Sequence, residues 1–376
     1  MYSYIPYLLR ICIKDYIGIK NKIYDNSVHL TASMDWVKKA HNKDGGISSG
    51  YSLNPRDGVG WRSSYPEISG YFIPTIFDCY KETRSEIFYQ KAVEVADWLT
   101  GIQMKSGGFQ GHPIGSPEKE MVFDTGQILG GLTRAYRETD DSKYLEAAER
   151  AAQFLIFIME KDGSWIKYSL NSLPHTYHTR VAWKIATLSQ VTDNETYLEA
   201  AVRNIEWALS KQQNNGWFEN SSFDLVTDPL LHTIAYTIRG ILEVGLIDDN
   251  KEYVNLARKS ADGLLNLYNE RKFLAGTFDS SWNSKSRWTC IVGDSQISII
   301  WLKLYEIFKD KKYLESAESI NNFVKSTQST NSSNPGIKGG IKGAYPFYGR
   351  YEPYAFPAWA VKFFIDSLIL ENSITS

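Results

Sequence analysis

Two kinds of helical pattern alternate along this 376-residue chain. The first recurs as "FYQKAVEVADWL" from Phe88, "YLEAAERAAQFL" from Tyr144, "YLEAAVRNIEWAL" from Tyr197, "YVNLARKSADGLL" from Tyr253 and "YLESAESINNFV" from Tyr313. A weaker first copy runs from about Val28 to His41. In each copy aromatic and small apolar residues fall at helical spacing, with Glu, Lys and Arg between them, which predicts one buried and one wetted face. The second pattern is "PEISGYFIPTIFDCY" from Pro66, "DTGQILGGLTRAY" from Asp124, "HTRVAWKIATL" from His178, "HTIAYTIRGILEV" from His232, "DSQISIIWLKLYEIF" from Asp294 and "FPAWAVKFFIDSLIL" from Phe356. These segments are apolar on nearly every side and should be buried all round. They also hold Gly126, Gly130, Gly131 and Gly240. A helix-interior Gly costs about 1 kcal/mol relative to Ala, so these positions predict close helix–helix approach.

Six alternations of an amphipathic and a buried helix predict an all-α fold, an (α/α)6 toroid: a double-walled helical barrel of six hairpins. A linear solenoid is the alternative, but six is the number of hairpins that closes such a ring. The toroid is assigned to residues 28–376 as the catalytic domain, after an N-terminal helical extension over residues 1–27. Links from inner to outer helices are short turns, such as "TDDSK" near Asp140 and "KDKK" near Asp310. Links from outer to inner helices are long: 42–65, 105–123, 161–177, 214–231, 270–293 and 329–355. Long ordered loops in a compact domain are usually functional. All six should emerge where the inner helices begin, so that helix N-termini point free N–H groups and partial positive charge into one mouth.

Composition narrows the partners. A net charge of −2 argues against a nucleic-acid binder, which would be basic. Arg10, Lys14 and Asp15 interrupt the apolar N-terminal stretch, and no segment approaches the roughly 18 apolar residues of a membrane span, so membrane association is not expected. Three cysteines, Cys12, Cys79 and Cys290, form no disulfide framework and no CxxC pair, which points to a reducing, cytoplasmic setting. The same scarcity gives no metal site: Cys290 falls near His232, but Cys12 and Cys79 fall elsewhere, and His175 with His178 is a pair only. No cofactor is expected either, and the oligomeric state is not specified.

The starts of the inner helices place Glu67, Asp124, His178, His232 and Asp294 at the mouth as catalytic candidates. The loops and the sixth helix entry add Trp61, Arg62, His112, Tyr177, Arg180, Trp288, Tyr348, Arg350, Tyr351 and Glu352 as substrate-binding candidates. Each has a structural alternative. Asp124 and Asp294 suit helix caps, and Asp124 with Gln127 resembles a capping box. Glu67 after Pro66 suits a first helical turn. Phe109, Trp165 and Trp217 suit plugs between repeats. Taken together, carboxylates, imidazoles, arginines and aromatics in one concave mouth suit a saccharide. Aromatic faces stack on sugar rings, and paired carboxylates perform acid–base glycoside cleavage. Carboxylates at helix N-termini favour their charged form, which makes Asp124 and Asp294 base candidates and leaves Glu67 or Glu352 as proton donor. His178, His232 and Tyr177 suit a second route: proton abstraction beside a uronate carboxyl neutralised by Arg180 or Arg350.

The six-hairpin repeat resembles the (α/α)6 carbohydrate-active superfamily, which includes six-hairpin glycosidases, unsaturated glucuronyl hydrolases, polysaccharide lyases and N-acylglucosamine 2-epimerase-like proteins. "FDTGQILGGLTRAYRET", "KYLEAAERAAQFL" and "WAVKFFIDSLIL" also resemble proteins associated with polysaccharide biosynthesis that carry squalene-cyclase or prenyltransferase-like repeats. The resemblance spans roughly residues 28–371 and is architectural, so no catalytic set carries over. Terpenoid cyclases of similar architecture use an Asp-rich cavity motif, whereas Asp140-Asp141 and Asp248-Asp249 fall in turns at the other end. The resemblance implies an enzyme of polysaccharide or glycoconjugate metabolism acting on a saccharide, with glycoside hydrolysis first. Uronyl or sugar epimerisation and polysaccharide elimination are the alternatives, and a non-catalytic glycan-binding or scaffold protein is the reading from another class.

Overall fold

In the computed structural model, which describes residues 4–376, the two helix types stand in two concentric walls. The inner wall is α3 (Pro66–Thr83), α5 (Val122–Thr139), α7 (Thr179–Thr192), α9 (Leu231–Ile247), α11 (Ile291–Phe308) and α13 (Ala358–Thr375). The outer wall is α2 (Asn26–Ala40), α4 (Glu86–Gly101), α6 (Ser142–Phe157), α8 (Glu195–Leu209), α10 (Lys251–Arg271) and α12 (Lys311–Thr327). Each inner helix packs on the next, and α13 packs back on α3, so the ring is closed. Glycine lets the inner helices touch: a Cβ on Gly131 would lie 2.5 Å from the Gly70 carbonyl oxygen, and one on Gly240 would lie 2.3 Å from the Thr179 backbone.

The short turns share one construction. Arg84, Asp140, Asp193 and Lys309 end inner helices in the left-handed conformation, and the next residue caps the outer helix. Three of these caps, Asp141, Asn194 and Asp310, accept a hydrogen bond from the backbone N–H two residues on. These turns join α3 to α4, α5 to α6, α7 to α8 and α11 to α12; α9 reaches α10 through a slightly longer turn capped by Asn250. The sixth pair is different. Helix α2 packs on α13, so the two ends of the chain together make the last hairpin. Asn26 donates to Glu371 and Asn372 at 2.7 and 2.9 Å, and β1 (Gly50–Ser52) pairs antiparallel with β5 (Ala355–Pro357).

Long connections cover the end where inner helices start. They contribute β2 (Gly60–Trp61), paired with β1, and β3 (Thr289–Cys290), paired with β4 (Ala344–Tyr345). The N-terminal extension carries α1 (Ile5–Tyr16), tied to the last long loop by the buried Asp15. Its carboxylate meets Lys342 Nζ at 2.6 and 2.8 Å and accepts the Phe347 N–H at 2.8 Å. The outward face of α1 leaves Leu9 and Ile13 more than half exposed. Among the described residues no helix is long and apolar enough to cross a membrane.

The inward stripes follow the 3.6-residue period and set up layers. On α3 the stripe reads Glu67, Tyr71, Pro74, Asp78; on the diametrically opposed α9 it reads His232, Tyr236, Arg239, Glu243. The interior therefore has a front layer at the mouth, a middle aromatic layer and a back layer of charge.

Candidate active site

The middle layer forms a floor. The Tyr71 hydroxyl donates to the Tyr236 hydroxyl at 2.8 Å, spanning the ring from α3 to α9. Phe123 and Phe363 close around them, with Phe363 5.7 Å from Tyr71 and Phe123 5.1 Å from Tyr236 between ring centres. In front of this floor lies a cavity of about 440 Å³. Four catalytic candidates line it: Glu67, Asp124, His178 and His232, one from each of the first four inner-helix starts. Tyr177, Tyr351, Glu352 and, at the exposed rim, His112 line it too.

Burial governs the ionisation of this cavity. It raises the Glu67 carboxyl well above the usual range, and the charge of Asp124 adds to the shift. It raises Asp124 to about 7 against the pull of the Tyr65 hydroxyl and backbone N–H groups, including that of His112. Burial therefore drives Glu67 toward its protonated form beside an Asp124 poised near neutrality between its two forms. Tyr65 faces both carboxyl groups and is itself raised, by burial and then by the two negative charges. Asp124 Oδ1 is buried with no hydrogen-bond partner among the described residues.

The histidines are held neutral. Burial, then the Arg180 charge, lowers His232 to about 3; burial, then His175, pushes His178 well below the ordinary range. Gln296 bonds His232 Nδ1 at 2.8 Å, which leaves Nε2 as the ring nitrogen for a ligand. Tyr351 packs 5.3 Å from His232, and its hydroxyl accepts the Trp359 indole N–H at 2.9 Å. At the rim Arg62 reaches Glu352 at 2.7 Å and Asp57 at 3.7 Å.

Other candidates stand elsewhere. Asp294 is 1% exposed, accepts from Thr289 at 2.8 Å and does not line the cavity. Lys303 of the same helix faces the interior, and nine residues of helix turn a side chain to the opposite face. Arg180 lies beneath the floor, its guanidinium 4.8 Å from the Tyr236 ring and 5.0 Å from the Tyr71 ring. Trp61 packs on Trp36 and Tyr51 at 4.9 and 5.3 Å. Trp288 and Arg350 line a neighbouring cleft of about 830 Å³ that shares Phe223 and Tyr351 with the cavity. Tyr348 is exposed over the N-terminal extension, near Asp15 and Cys12. The capping alternative is not realised: α5 begins at Val122 and α11 at Ile291, and neither Asp124 nor Asp294 caps its helix. Phe109, Trp165 and Trp217 are core residues.

Tyr65, Phe123, Phe223, Tyr236 and Trp359 also line the cavity, with Ile68, Met121 and Leu170, and none of these was among the candidates. Tyr236 carried a readable signal, four residues after His232 on the same helical face. Trp359 had one as well, as the inward residue of the sixth buried helix. Among the described residues no three His, Cys, Asp or Glu side chains converge on a metal position.

Comparison with known proteins adds two findings. Residues 121–180, which carry Asp124, Tyr177 and His178, match the sequence profile of the D-glucuronyl C5-epimerase C-terminus. No curated protein sequence matches significantly. Among solved structures, an unsaturated glucuronyl hydrolase specific for heparin superposes with a TM-score of 0.71 at 16% identity, covering 92% of this chain and 96% of that one. A sugar epimerase from a ruminal bacterium gives 0.74 at 13% identity over 93% and 98%. Cellobiose 2-epimerase from Bacillus thermoamylovorans gives 0.70 at 14% identity over 89% and 95%. At these identities the likeness shows the shared (α/α)6 toroid.

Proposed function

We propose that this protein is a carbohydrate-active enzyme that inverts carbon 5 of a uronate residue in a saccharide. The observation that carries this reading is that acid–base groups stand on facing walls of one cavity: Glu67 and Asp124 on α3 and α5, His232 on α9, with Tyr351 beside it. Inversion needs a base on one face of the carbon and a proton donor on the other. Asp124, poised near neutrality, takes the proton from carbon 5. The electron pair moves into the uronate carboxylate, where protonated Glu67 and Tyr65 donate hydrogen bonds to the growing charge. Tyr351 or the Nε2 side of neutral His232 returns a proton from the opposite wall, and solvent resets both groups. The match over residues 121–180 supports the same chemistry.

Hydrolysis of a glycosidic bond is the second reading. It is favoured by the two neighbouring carboxyls, of which burial drives Glu67 toward its acid form while Asp124 ionises near neutrality. Either activity belongs to polysaccharide or glycoconjugate metabolism. The three unpaired cysteines fit work in a reducing cytoplasm. The cleft holding Trp288 and Arg350 would extend the site for a longer glycan.

Incubation with a glucuronate-containing oligosaccharide in deuterated water separates the readings. Epimerisation places deuterium at carbon 5 and leaves chain length unchanged. New reducing ends without deuterium would replace it with hydrolysis, and neither product across a panel of uronate saccharides would overturn both.

A further inference from the structure

Behind the tyrosine floor the ring holds a second cavity, about 570 Å³, lined by the lower halves of the inner helices and reaching the short-turn end. Seven cationic side chains and three carboxylates line it. Four of the cations are answered by carboxylates. Arg134 meets Asp78 and Glu138, Arg239 and Lys303 share Glu243, and Lys362 pairs with Asp366. Arg137, Arg180 and Lys184 have no carboxylate within 4.0 Å among the described residues.

Arg137 sits exposed in the last turn of α5 and donates to the Thr187 carbonyl and Gln190, whereas Arg180 and Lys184 lie deeper with aromatic rings as their main company. Arg180 is 3% exposed, yet its only hydrogen bond among the described residues runs from Nε to Gln127 at 3.2 Å, leaving the terminal guanidinium nitrogens for the cavity. Among the described residues Lys184 makes no hydrogen bond, and its ammonium rests 3.2 Å over the Trp183 ring. Gly130 makes room for its stem, since a Cβ there would lie 2.6 Å from Lys184 Cδ. Cations offset helix dipoles at carboxyl ends, but Arg180 and Lys184 sit in the first two turns of α7, where the dipole opposes them. Burying an unpaired cation is costly, so something must answer the charge. Burial, followed by Arg180, Lys362 and Arg239, holds the Lys184 ammonium well below the ordinary lysine range.

We infer that this rear cavity binds a small phosphate-bearing molecule, with Arg137, Arg180 and Lys184 as its unpaired anchors. Guanidinium forks match phosphate oxygens two at a time, and a lysine adds a point charge. The volume suits a ligand the size of a sugar phosphate. The site is separate from the front cavity, so its occupancy is read without any turnover.

Titration of the whole protein with pyrophosphate, followed by calorimetry and thermal melting, tests the site. Chloride at matched ionic strength and citrate serve as controls. Saturable binding of pyrophosphate, at least tenfold tighter than citrate and with a rise in Tm that chloride does not produce, is expected. Lys184→Met should weaken it at least tenfold while raising the Tm of the free protein, because an unanswered charge is gone. Arg137→Gln, at the exposed rim, tests the same site without touching the core and should weaken binding severalfold. Citrate binding as tightly as pyrophosphate would overturn the phosphate assignment. Unchanged affinity in both variants, or a Tm response equal to that of chloride, would overturn the site.

Discussion

On α3, Glu67 and Asp78 stand on one inward stripe, and on α9 His232 and Glu243 do the same. The front member of each stripe is driven toward its neutral form by burial, whereas Glu243 is held ionised at about 2 by Arg239 and Lys303. The helices are the same, so the difference comes from the neighbours. The front carboxyls and imidazoles have hydroxyls, aromatic rings and one another for company, with no cation in their cavity except at the rim. Burial dominates there and brings acid–base groups to the edge of titration. In the back half, charge answers charge, and the ionised forms persist. The floor of Tyr71 and Tyr236 lets both regimes exist within one ring.

The largest effect that would break this contrast lies in front. Asp124→Asn should lower turnover by about a thousandfold if Asp124 is the base. Its melting temperature should hold or rise at pH 8, as measured by calorimetry, since a carboxylate forced to ionise there is gone. Wild-type activity should rise with pH through about 7 as Asp124 ionises, and a flat profile between pH 5 and 8 would remove it from that role.

The next effect sharpens the boundary between buried and catalytic. Asp294 is raised to about 8 by burial, above its unfolded value near 3.8. The folded state therefore binds the extra proton, and stability falls as pH climbs from about 4 to 8. Asp294→Asn should flatten that decline and raise Tm at pH 8 by several degrees, at roughly 2–4 °C per kcal/mol for a larger domain. Activity should stay within twofold. The histidines act on the other side: with its folded value depressed to about 3, His232 contributes stability that is lost as pH falls from about 6.5 toward 3.

The smallest effect probes leakage across the floor. Arg180 is the one back-layer cation whose field is felt in front, lowering His232 and drawing Glu67 down. Arg180→Met should move the His232 titration upward in an NMR series and leave the fold intact. An unmoved midpoint would mean the floor insulates the two halves.

Much of this was legible from periodicity. Both helix walls, the long-loop end and the shared cavity of four of the five candidates follow from the repeat and the helix starts. Asp294 was misjudged through a one-residue slip. The second copy reads Asp124-Thr-Gly-Gln127, whereas the fifth reads Asp294-Ser-Gln296. Aligned on the inward glutamines, the partner of Asp124 is Gly293, where a Cβ would lie 2.6 Å from Leu231. One residue is about 100° of helix, enough to turn a carboxylate out of a cavity. Arg180 was misplaced in depth: only two residues past His178, its side chain lies beneath the tyrosine floor, which a position near a helix start does not reveal. The rear charge was missed because its residues are spread at three- and four-residue steps over six helices and form no local motif. The alternation also hid the pairing of the last hairpin, because short turns bind inner to following outer helices and leave α2 and α13 to find each other.

That pairing has a consequence for synthesis. Helix α13 leaves the ribosome after every other helix of the ring, and α2 leaves before them. Until α13 docks, nascent protein is an open arc whose apolar edges on α3 and α11 lack their neighbour. Trp359, Tyr351 and Glu352 arrive with that same segment, so no partial chain has a complete pocket. Activity should switch on only once α13 has docked, and intermediates that lack it should be strong clients for chaperones.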